Sequence, residues 1–94
     1  MEACLDGSSA AVRALEAALD RYEADSADRR RLFDYYGSTQ WMGDLEADEA
    51  GKLPKDLKRG VLSEDAVYDL ICDNRELLLR MAKLVAGAIE NREL

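Results

Sequence analysis

Val67, Ile71, Asn74, Leu78, Met81, Val85 and Ala88 follow one another at alternating intervals of four and three. That spacing returns to one side of an α-helix, and it predicts a helix over about 64–90. Leu70, Leu77 and Leu84 flank the row at intervals of seven, and Tyr68, Cys72 and Leu79 widen it, leaving a polar ridge of Asp69, Asp73, Glu76, Arg80 and Lys83. One neighbouring helix does not cover an arc this wide. Either a shorter helix of the chain packs there as well, or a second copy does, and a homodimer is the expectation.

The start of this helix is also marked. Ser63 reads as its N-cap, Glu64 and Asp65 follow where the helix dipole favours acids, and Leu62 is placed to pack on Val67. Near the other end of the chain, Val12, Leu15, Leu19 and Tyr22 recur at three, four and three, and the frame resumes at Phe33 and Tyr36. In between it lands on Ser26 and Arg29. There the helix kinks, pairs polar groups or breaks. The favoured reading is one helix over about 9–36, starting at Ser8 or Ser9 and stopped by Gly37.

Ser38 is positioned to cap a second helix over about 39–50, with Trp41, Met42 and Leu45 on its buried side and Gly51 as its stop. Pro54 then suits a first-turn position, Leu57 points inward, and Gly60 ends a single helical turn over about 54–59. The expected fold is all-α and a single domain. Two long helices of matching length, each about 40 Å, form an antiparallel pair, with the shorter helix and an ordered basic turn in the connection: a three-helix hairpin or bundle.

The chain has 94 residues, enough for one core, and fourteen alanines and fourteen leucines make that core thin and helical. No 18-residue apolar run occurs, and "MEACLDGSSA" has neither the basic start nor the apolar stretch of a signal peptide, so the protein reads as cytoplasmic with no membrane association. There is no histidine. Together with only two cysteines, Cys4 and Cys72, this excludes the common zinc ligand sets and removes the usual general base. No catalytic residue, metal or cofactor is therefore assigned.

The formal charge of −7 disfavours nonspecific binding to nucleic acid or to an anionic bilayer. Its distribution is uneven. Asp44, Glu46, Asp48 and Glu49 make 41–51 acidic, whereas Lys52, Lys55, Lys58 and Arg59 outweigh Asp56 in 52–60. Asp44 and Asp48 stand one helical turn apart but do not open an EF-hand loop, because Glu49 and Lys55 occupy the positions that need glycine and glutamate. The three arginines at 29–31 point in different directions on a helix and make no single patch.

"YYGSTQWMGDLEADEAGKLPKDLKRGVLSEDAVYDLICDNREL", from Tyr35 to Leu77, resembles the signature of a family of small bacterial proteins known as domain of unknown function 4298, most specifically in "LPKDLKRGVLSEDAVYDL". The resemblance implies a compact, helical, intracellular bacterial protein and supplies no catalytic residue.

The connection from Gly37 to Ser63 is much longer than the two to eight residues that join helices in bundles. Backbone and core tasks account for Pro54, Leu57, Gly60, Leu62 and Ser63, but not for the positive side chains. The candidate interaction surface is therefore Tyr35, Tyr36, Trp41, Lys52, Lys55, Lys58 and Arg59, with the aromatics either anchoring a partner or plugging the end of the helical pair. The expected function is a noncatalytic protein-interaction module presenting 41–65 to a protein partner. The alternative is a small anion- or phosphate-ligand-binding domain using the basic turn.

Overall fold

A computed structural model describes residues 1–63 and 65–94. The chain is all-α: among the described residues there are four α-helices, one 3-10 turn and no strand. The helices are α1 (Glu2–Ala24), α2 (Ser26–Tyr35), α3 (Thr39–Glu49) and α4 (Ala66–Glu90), and the 3-10 turn is Gly60–Leu62. Two units, Met1–Leu32 and Phe33–Leu94, each hold together through their own contacts.

In the first unit the helix starts at Glu2 rather than near Ser9, with the Leu5 amide donating to the Met1 carbonyl at 3.0 Å. Ser8 and Ser9 lie inside α1 and cap nothing. Gly7 does not break it, since one interior glycine costs only about 1 kcal/mol relative to alanine. Leu5 stands seven residues before Val12, so the apolar frame extends to the new start.

The expected single helix is two, interrupted at Asp25 (φ −80°, ψ −7°). The interruption is brief, because the Asp25 amide still donates to the Arg21 carbonyl and the Arg29 amide to the Asp25 carbonyl. Arg29 explains the polar gap in the apolar frame. Its guanidinium donates to the Tyr22 carbonyl at 3.0 Å and to Asp25 Oδ2 at 3.3 Å, and its central carbon lies 3.7 Å from the centre of the Tyr22 ring. Carbonyls of a helix's last turn lack backbone partners, so a side chain that reaches one while stacking on an aromatic face stabilises the end. No residue of α1 or α2 is buried.

The second unit is punctuated largely as the sequence predicts. Gly37 has φ +77°, and the Ser38 side chain then accepts the Trp41 amide at 3.1 Å, capping α3. At the far end of α3, Gly51 has φ +70°, with the Lys52 amide on the Ala47 carbonyl and the Gly51 amide on the Asp48 carbonyl. This pair of bonds is a Schellman stop.

The expected helical turn over 54–59 does not form. Its place is taken by a tight turn from Pro54 to Leu57, and the helical turn falls later, opened rather than ended by Gly60. The Ser63 hydroxyl accepts the Asp65 and Ala66 amides, both at 3.3 Å, so it performs the capping role although α4 proper begins at Ala66. The part expected of Glu64 lies outside the described residues.

Among the described residues only Trp41, Leu62 and Val67 are buried, at 9%, 8% and 4% exposure. They come from α3, the 3-10 turn and the start of α4, and the 3-10 turn packs on both helices. The core of the second unit therefore lies at the corner that carries the basic turn.

Candidate functional site

The basic turn is built around Arg59. Its Nε donates to Asp48 Oδ1 on α3 at 2.6 Å, Nη1 donates to the carbonyls of Lys55 and Leu57, each at 3.0 Å, and Nη2 donates to the Pro54 carbonyl at 2.7 Å. A guanidinium presents five donors in a fixed fork, and four bonds from one residue hold three loop carbonyls and a helix carboxylate together. With these three carbonyls tied to one side chain, 54–59 is a clamped loop. Arg59 is thus committed to the fold, although the sequence marks it as a surface candidate.

The three lysines differ. Lys52, Lys55 and Lys58 are exposed, and none makes an ion pair among the described residues. Their ammonium groups are held near a fixed backbone while remaining free to meet an anion.

The aromatic candidates also divide. Trp41 is buried, its indole N–H donates to the Val61 carbonyl at 2.8 Å, and it ties α3 to the 3-10 turn. Half-buried Tyr36 packs edge-on against it, with ring centres 5.1 Å apart and an angle of 61° between planes. Tyr35 turns instead to Asp44, donating to Oδ2 at 2.6 Å. That hydrogen bond, aided by burial and by the carboxylate's charge, pushes the Tyr35 hydroxyl up to about 12. It remains a neutral donor throughout the physiological range.

Asp44 and Asp48 are consequently both engaged, one by Tyr35 and the other by Arg59. Among the described residues no cluster of three acids or cysteines is placed to hold a metal ion, and no buried side-chain polar atom lacks a partner. The arrangement is suited to recognition of negative charge on its lysines.

Two residues that the sequence places inward are outside. Met42 is 54% and Leu57 46% exposed, and Val61, which no sequence reading singles out, is 42% exposed. Each adjoins the corner in sequence: Met42 follows buried Trp41, Val61 precedes buried Leu62, and Leu57 sits within the clamped turn. Their apolar character is visible in the sequence, whereas their exposure follows from how the turn is tied.

No helix among the described residues is long and apolar enough to cross a membrane. No curated protein and no solved structure matches the chain. Residues 1–84 match the family described as Domain of unknown function (DUF4298), a span that takes in α1 as well as the stretch from Tyr35 to Leu77, and the chain belongs to that family.

Proposed function

We propose that the protein is a noncatalytic interaction module of the bacterial cytoplasm, using the turn after α3 to bind an acidic surface on a protein partner. The observation that carries this reading is the division of labour within the turn. Arg59 satisfies the loop carbonyls and Asp48, and the side chains of Lys52, Lys55 and Lys58 take no part in that clamp. A fold needs the arginine; it does not need the lysines.

The exposed Leu57 and Val61, which lie beside these cations along the chain, add apolar surface, the mixture that gives an interface both contact area and register. The chain as a whole is acidic at −7, so a local positive turn favours a partner of matching shape over any polyanion.

The test is capture from a bacterial lysate with wild type and with Lys55→Glu/Lys58→Glu, leaving Arg59 intact so that the turn keeps its clamp. The expected result is an acidic protein retained by wild type, weakened by salt and lost from the variant. Identical captures would overturn the reading. A phosphate-bearing small ligand would show instead as thermal stabilisation absent from the variant, about 2.7 kcal/mol at a hundred times its Kd.

A further inference from the structure

The longest helix carries a second surface, separate from the basic turn. Of α4 only Val67 is buried, while Leu70, Leu77, Leu78, Leu84, Val85 and Ile89 are between 45% and 64% exposed. At about 100° per residue the apolar arc from Leu84 round to Ile89 spans about 140°, wider than the stripe of about 100° by which a helix faces a single core. Nothing among the described residues of the second unit covers it.

We infer that this face is the site of self-association, and that α4 pairs antiparallel with α4 of a second copy about a two-fold axis near residues 76 and 77. Three independent features of the helix share that centre. Leu70 and Leu84 are equidistant from Leu77, so an antiparallel pair sets each against the other and Leu77 against its own counterpart. Ile71 and Met81, in the central row, become level with one another on the two chains.

The charges agree. Asp73 and Arg80, seven residues apart on the same edge of the arc, lie level with each other across the pair, so each acid meets a base. Along the polar ridge Asp69, Asp73 and Glu76 occupy the first half of the helix, and Arg80 and Lys83 the second. A parallel pair would instead put this edge of one helix on the opposite side of the contact from the same edge of the other, so Asp73 and Arg80 would not meet. An isologous antiparallel contact is also the form that closes a dimer.

Two measurements on the full chain test this. Sedimentation and light scattering should give twice the 10.5 kDa of one chain, and Leu77→Glu, which brings two carboxylates together at the axis, should weaken the dimer by more than about tenfold. A wild-type chain that stays monomeric at high concentration would overturn the inference. Orientation is read without relying on a disruptive variant. In a Cys4→Ser/Cys72→Ser background, Leu70→Cys and Leu84→Cys chains are mixed and treated with a short thiol cross-linker. Crosslinks joining the two variants should outnumber those within either one; the reverse would overturn the antiparallel arrangement.

Discussion

Arg59 Nε and Asp48 Oδ1 lie 2.6 Å apart, joining the loop after Pro54 to the last turn of α3 through a pair that is only partly exposed. The same guanidinium holds three loop carbonyls. Arg59→Ala should therefore lower stability by about 2 kcal/mol, the scale of charge-assisted hydrogen bonds in partial burial. Arg59→Lys should recover little, because an ammonium cannot reproduce the fork. Chemical denaturation followed by circular dichroism reads both. A lysine variant as stable as wild type would refute the clamp.

Tyr35 makes a pH prediction with a definite sign. Its hydroxyl is raised from 10 to about 12 in the folded chain by donating to Asp44. Below pH 10 the group is protonated in both states and its contribution to stability is complete. Between pH 10 and about 12 the unfolded tyrosine ionises first, and the contribution is lost. The stability difference between wild type and Tyr35→Phe should be constant below pH 10 and shrink above it. In the ultraviolet titration of the four tyrosines, Tyr35→Phe should lack one late step. Tyr68, whose hydroxyl is also raised by the neighbouring Cys72, should still titrate late in that variant.

What the sequence disclosed was chiefly punctuation. Gly37, Ser38, Gly51 and Ser63 act in the structure as their residue types imply, because a left-handed stop or a hydroxyl cap is decided by a few neighbouring atoms. The all-α class was legible for a related reason, since the spacing from Val67 to Ala88 leaves little alternative. The clamp made by Arg59 was not legible, because it depends on where three carbonyls point, and no local pattern states that. Met42 reads as inward because periodicity identifies an apolar face without saying what covers it, and Leu57 reads so because the helical turn expected over 54–59 would have turned it in. Arg29 belongs to both cases: the gap in the frame was visible, while its answer, a stacked arginine on the Tyr22 carbonyl, required the geometry.

Two glycines of the second unit should respond in opposite directions to the same change. Gly51 has φ +70°, where a Cβ is strained, whereas Gly43 lies inside α3 with no atom within 4 Å of an added Cβ. Gly51→Ala should cost about 1 kcal/mol, and Gly43→Ala should add about 0.5–1 kcal/mol by restricting the unfolded chain. Thermal melts of the two variants would show Tm values on either side of wild type.

Trp41 provides the clearest test of where the core lies. It is the only tryptophan, it is buried, and its indole donates to the Val61 carbonyl at 2.8 Å, linking α3 to the turn that leads into α4. Trp41→Phe removes that donor and part of the ring, so it should destabilise the second unit by about 2 kcal/mol. Val61 is the acceptor only through its backbone, and its side chain is exposed, so Val61→Ala should change stability far less. If the 3-10 turn is held mainly by this bond, hydrogen exchange in Trp41→Phe should accelerate at Leu62 and Ser63, whose amides close the turn, before it does in the middle of α4. Equal acceleration along the whole of α4 would instead mean that the corner and the long helix open as one unit, and that Trp41 stabilises both together.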